Sequence, residues 1–205
     1  MCSFEWKAIL ASALVFVAVI DPDRGLTQSN SAEVDNPSWV SIIYEPPENS
    51  AFQDLYDLLR ERHALESIPE ILSPFRSPEA LTIKTAERKA INAWYRREAF
   101  KPTVTVCYEL LKHILGSLLN EDNRDGLTPA DAAVGQFFFA TLHEVGHAIF
   151  DILDVPMFGH EEDAADNFAT YIMLQFTEGQ AHRLIGGAAW SWRAYLGMRS
   201  KKEHA

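Results

Sequence analysis

Two histidines four residues apart, with a glutamate between them, are the part of this chain best suited to chemistry: His143-Glu144-Val145-Gly146-His147. On a helix, positions i and i+4 share a face, so both imidazoles point the same way. Such a pair can grip one zinc ion and leave Glu144 beside it to work on a bound water. Farther on, Glu162-Asp163-Ala164-Ala165-Asp166 repeats the spacing with carboxylates. Glu162 is the candidate third ligand and Asp166 the candidate outer acceptor. His143, His147 and Glu162 would leave the fourth position of one zinc per chain open, as catalytic sites do. The chemistry described is peptide-bond hydrolysis. Glu161 competes with Glu162 as third ligand, although it lies five residues from Asp166 rather than four.

These side chains need two helices that face each other. Thr128-Pro129-Ala130-Asp131 opens the first, with Thr128 at the N-cap, Pro129 at the first helical position and Asp131 closing a capping-box-like pair. The helix is predicted to run through Phe137-Phe138-Phe139 and the histidines to about Leu153. Pro156 cannot be continued through, and Gly159 permits a reversal. A second helix over 160–177 then brings Glu162 and Asp166 back antiparallel to the first. Gly146 is open to two readings, a close helix approach or simply a small residue in a packed helix.

Upstream, strands are predicted at 39–44, 81–85 and 103–108, where β-branched and aromatic residues cluster. A helix is predicted over 52–63, a short helical or irregular piece around 68–75, and another helix through Leu118. The fold class is α+β: a small N-terminal sheet with helices, then a zincin-like HExxH helix and an antiparallel glutamate-bearing helix.

The chain has 205 residues, enough for one domain over 39–205. Hydrophobic residues make up 47%, which supports a packed core. A net charge of −11 argues against nucleic acid as a partner and leaves a peptide or protein substrate. Lys7 precedes an apolar run from Ala8 to Ile20, too short to span a bilayer comfortably but suited to a signal-peptide core. Residues 1–25 are therefore expected to be a signal peptide or an N-terminal anchor, and 26–38 a polar linker. The protein is expected in the bacterial periplasm or secreted, without a membrane partner unless the anchor is retained. Cleavage would remove Cys2 and leave Cys107 alone, with no internal disulfide.

HExxH followed by ExxAD resembles the gluzincin peptidases, in which a glutamate is the third zinc ligand. More closely, Val106-Cys107-Tyr108-Glu109-Leu110, the 143–148 segment and the 159–166 segment are similar to a family of small exported bacterial putative metallopeptidases, a domain of unknown function. The resemblance covers about 39–180. It implies that His143, His147 and Glu162 bind zinc and that Glu144 takes a proton from water and passes it to the leaving amine. It also implies that Asp166 accepts the other ring N–H of His143. Where the family has Glu-Cys-Gly this chain has Glu87-Arg88-Lys89, so no cystine to Cys107 can form. After Trp190 the chain is short and basic, which leaves the far wall of the site without an evident source.

Single residues leave more than one reading. Tyr171, His182 and Tyr195 are candidates for oxyanion stabilisation by residue type alone. Glu109 is either a buried outer carboxylate or the start of a helix, and His160 a surface or capping residue. Phe137-Phe138-Phe139 reads as core, partly lining a pocket. Trp190 and Trp192 either pack on the domain or mark a partner surface. Two other functions fit parts of the pattern. One is a catalytically inactive zinc-binding module acting as a binding or regulatory protein. The other is a di-iron carboxylate protein, which needs a second Glu-x-x-His pair that the chain lacks.

Overall fold

A computed structural model describes residues 39–118 and 121–203, with side chains as far as Leu196. The signal or anchor segment expected over 1–25 and the linker over 26–38 lie outside the described residues.

Four strands form one mixed sheet: β1 (Val40–Tyr44), β2 (Leu81–Ala86), β3 (Ala93–Glu98) and β4 (Lys101–Cys107), in the order β1-β2-β4-β3. β1 and β4 run parallel to β2, whereas β3 runs antiparallel to β4. Parallel neighbours need a crossover, and two short helices between β1 and β2 supply it: α1 (Gln53–Glu61) and α2 (Ser67–Leu72). The central strands β2 and β4 are buried almost throughout, as strands covered on both faces must be.

β3 was not predicted. Its Trp94-Tyr95 pair is followed by Arg96, Arg97 and Glu98, charges typical of an edge strand. Its hairpin to β4 turns on Ala99 and Phe100, both left-handed at φ 47° and 67°. Such turns normally announce themselves with Asn-Gly or Gly-Gly, and neither residue is present here.

β4 passes directly into α3 (Tyr108–Leu118). α4 (Pro129–Ile152) follows, and its capping box is complete. Thr128 Oγ1 accepts the Asp131 N–H, and the Asp131 carboxylate accepts the Thr128 N–H at 2.8 Å. α5 (Glu161–Met173) and the long α6 (Glu178–Glu203) complete the chain. α4 is the spine: it packs on β3 and β4, on α5 and on α6. Phe137 and Phe138 are buried in the core.

Its crossing with α6 is unusually close. A Cβ on Gly187 would lie 2.1 Å from the Asp131 carbonyl oxygen, and one on Gly135 2.3 Å from that of Leu184. Only hydrogen fits there. Trp190 is buried on α6, and Trp192 is half-exposed on the same helix. Among the described residues no helix is long and apolar enough to cross a membrane.

The reversal after α4 uses Gly159 as expected and a second residue of positive φ besides. Asp154, at φ 48°, is the left-handed residue, and the Val155 N–H closes the turn on the Phe150 carbonyl. Aspartate is one of the few residues that tolerate this geometry, and Gly159, at φ 155°, takes a backbone conformation that favours glycine.

Candidate functional site

Contacts between α4 and α5 pair high residue numbers on one with low numbers on the other: His143 with Asp166, and His147 with Glu161. The two helices are therefore antiparallel, as the sequence predicts. Gly146 lies at their closest approach, where a Cβ would sit 3.2 Å from the Ala165 Cα. Of its two readings, the close approach is the one seen.

Both imidazoles are oriented by carboxylates. His143 Nδ1 lies 2.8 Å from Asp166 Oδ1, and His147 Nδ1 lies 2.7 Å from Glu161 Oε1. An ionised carboxylate only accepts, so each Nδ1 carries a proton, and in the neutral ring each Nε2 keeps its lone pair. The two Nε2 atoms point at each other, 3.2 Å apart. Glu162 adds its carboxylate, with Oε2 3.1 Å from His143 Nε2 and Oε1 3.7 Å from His147 Nε2. One ligand atom from each of His143, His147 and Glu162 lies within 4.8 Å of the other two. This is a group of acceptors without a donor among them, and it could hold a metal ion.

The structure brings His143, His147, Glu162 and Asp166 together, and Glu161, weighed as a third ligand in place of Glu162, lies elsewhere. It meets the far nitrogen of His147 rather than Nε2, so both imidazoles have an outer carboxylate. Asp166 serves His143 and Glu161 serves His147. The three acidic residues in the first turn of α5, Glu161, Glu162 and Asp163, also sit where the helix dipole favours negative charge.

Glu144 lines the same cleft as His143 and Glu162 and reaches from α4 to the sheet edge. Its Oε2 accepts the Tyr95 backbone N–H at 2.8 Å. That donor faces away from β4 because β3 is the sheet edge. Burial pushes the Glu144 carboxyl up, partly offset by the Tyr95 N–H and the nearby imidazoles. The edge strand is itself clamped to α4. Asp151 accepts from Tyr95 Oη and from Arg97 Nε, the latter at 2.8 Å, while Arg97 also reaches Glu79. No sequence signal marked Tyr95, because its contribution is a backbone N–H.

The cluster opens into a cleft of about 560 Å³ bounded by α3, α4, α6 and the start of β3. Tyr195 lines it, with its ring packed edge-on against His113. Tyr171 instead stands exposed on α5, and His182 lines a separate surface depression with Leu174 and Phe176. Ser191, Trp192 and Tyr195 show that α6 supplies the far wall that the sequence left without a source. Phe139 lines the cleft, while Phe137 and Phe138 pack in the core.

Glu109 is neither alternative alone. It begins α3 and accepts the backbone N–H groups of Arg88 and Lys89, away from the cluster. His160 is the N-cap of α5 without a side-chain cap bond. Cys107 is buried and free, with its thiol pushed up to about 11 by burial.

The chain belongs to the family described as putative metallopeptidase, a domain of unknown function, whose model matches residues 44–204. The match therefore extends through α6, beyond the segment in which the sequence resemblance was legible. No curated protein and no solved structure matches the chain.

Proposed function

We propose that this member of the putative metallopeptidase family hydrolyses peptide bonds, using one zinc ion held by His143, His147 and Glu162. The observation that carries the reading is the placement of a carboxylate at each Nδ1. With both Nδ1 atoms committed to carboxylates, two Nε2 lone pairs and the Glu162 carboxylate converge at 3.1–3.7 Å with no donor among them. Zinc bonds of about 2.0–2.1 Å in a tetrahedron set ligand atoms roughly 3.3 Å apart, so the donor set fits.

Bound zinc supplies Lewis-acid activation of a water molecule and of the peptide carbonyl. Asp166 and Glu161 keep the two rings in the ligating tautomer. Glu144 is the general base: the Tyr95 N–H holds Oε2, leaving Oε1 to receive the proton of the attacking water and return it to the leaving amine. The substrate is a peptide or protein segment laid in the cleft. The apolar run over 8–20 supports export, to the periplasm or beyond, as the place where it acts.

The first test is elemental analysis of protein purified without chelators. About one zinc per chain, lost in Glu162→Ala, is expected; metal-free wild type would refute the site. Glu144→Gln should then keep its metal and lose all peptide cleavage. Loss of metal in that variant would make Glu144 a ligand and end the scheme, whereas a metal-bound wild type inert towards every peptide would favour a binding module.

A further inference from the structure

Two phenylalanines stand almost wholly in solvent. Phe100, at the tip of the β3–β4 turn, is 91% exposed, and Phe158, in the loop between α4 and α5, is 96% exposed. Leu153 and Val155 are partly exposed in the same loop. Single exposed apolar residues are ordinary, but these gather at one end of the molecule. Asp151, near the end of α4, accepts from Tyr95 and Arg97 late in β3, so the β3–β4 turn and the α4–α5 loop leave the body at that end together. Phe100 also sits badly there, because its φ of 67° suits glycine. A ring at such a position costs stability, as residues kept for function often do.

The chain enters the fold at the same end. β1, β2 and β4 are parallel, with Val40 beside Leu81 and Thr82 beside Thr103, so residue 39 and the β3–β4 turn share one end of the sheet. Upstream lie residues 21–38 and the apolar run over 8–20. We propose that this end of the domain docks on a lipid bilayer, inserting Phe100 and Phe158, with the run over 8–20 retained as the anchor in that bilayer. A run of that length is short for a span, and stable attachment generally takes two signals. The phenylalanines are the second. A flexible tether as long as 21–38 extends roughly 20–25 Å on average, which holds the domain at an effective concentration of about a millimolar. Shallow insertion of a few side chains then suffices. Glu79 and Asp151 do not oppose it, since both are paired with Arg97, and the exposed Lys101 follows Phe100. With a net charge of −11 the attachment is apolar rather than electrostatic, so neutral lipids serve. The cleft borders the start of β3 whereas Phe100 follows its end, so docking leaves the cleft open to water. Docking needs neither the metal nor hydrolysis.

The test uses the full chain with Cys2→Ser, reconstituted in phosphatidylcholine vesicles; Cys107 is buried and stays unlabelled. A polarity-sensitive fluorophore is placed on Lys101→Cys at the turn, or on Glu48→Cys at the opposite end of the sheet, beyond β1. Brominated lipid should quench the first label strongly and the second hardly at all. Phe100→Ser and Phe158→Ser should each lower the docked-to-undocked ratio by about tenfold, the low end for a phenylalanine ring leaving water. With both substitutions the label at 101 should behave like the one at 48. Both rings stand in solvent, so an unchanged Tm in detergent is expected and shows the fold intact. Equal quenching at 101 and 48, or quenching that survives the double substitution, would overturn the docking. A label shielded in proportion to protein concentration and indifferent to brominated lipid would mean that a second copy covers this end, and would overturn it too. Mass spectrometry of the chain exported by a bacterium should find 8–20 retained, and its removal would refute the anchor.

Discussion

Replacing Asp166 by alanine removes the acceptor that holds the His143 ring at Nδ1, 2.8 Å away. The neutral imidazole then becomes free to carry its proton on Nε2, where a ligand needs a lone pair. A hydrogen bond to a charged group contributes about 1.5–3 kcal/mol. The Asp166 side chain is 55% exposed, so solvent screening places it at the lower end of that range. About 1.5 kcal/mol converts to roughly a tenfold loss of zinc affinity, the small end of what outer partners of zinc ligands usually contribute. Asp166→Asn keeps a carbonyl acceptor for Nδ1–H and should lose about threefold or less. Glu161→Ala acts on the other ring through an equivalent contact and should match Asp166→Ala. Competition against a chromophoric chelator at neutral pH measures all three. Wild-type affinity in Asp166→Ala, or equal losses in the alanine and asparagine variants, would refute the tautomer argument.

Gly187→Ala forces a methyl to 2.1 Å from a backbone oxygen, with helix on both sides and no flexible side chain to yield. A loss of about 3 kcal/mol is expected, lowering Tm by roughly 6–12 °C. Gly116→Ala, with nothing within 4 Å, should instead stabilise α3; similar melting of the two variants would contradict the close crossing. In the β3–β4 turn, Ala99→Asn with Phe100→Gly relieves two left-handed residues and should add about 1 kcal/mol by chemical denaturation; a loss would mean the turn has another shape. Burial raises the Glu45 carboxyl, but hydrogen bonds from Arg88 and Lys84 lower it by more, so it titrates below its ordinary 4.5. Its ion pairs should stabilise fully above pH 4.5 and fade as the pH falls through the lower folded value. The stability gap between wild type and Glu45→Gln should therefore shrink on acidification, and a constant gap through the acid limb would rule this out.

What the sequence determined by itself is local. The i,i+4 spacings of His143 and His147, and of Glu162 and Asp166, lie within single helices, where 3.6 residues per turn decides which side chains share a face. The same holds for the cap at Thr128 and for the strands predicted at 39–44, 81–85 and 103–108, whose apolar runs carry their own signal. What only the tertiary structure decided depends on parts distant in the chain. β3 was illegible because an exposed edge strand has no strict alternation and its turn lacks the residues that mark one. The role of Glu161 emerged from how far α5 is rotated against α4, which no spacing within α5 can state. Tyr95 holds Glu144 through a backbone N–H, a group every residue but proline has, so nothing in its side chain announces it. His113 and Tyr195 come into one cleft because Gly135 and Gly187 let α6 lie against α4. Local periodicity could nominate the ligating residues, but the wall, the base's anchor and the cleft depend on contacts between separate elements.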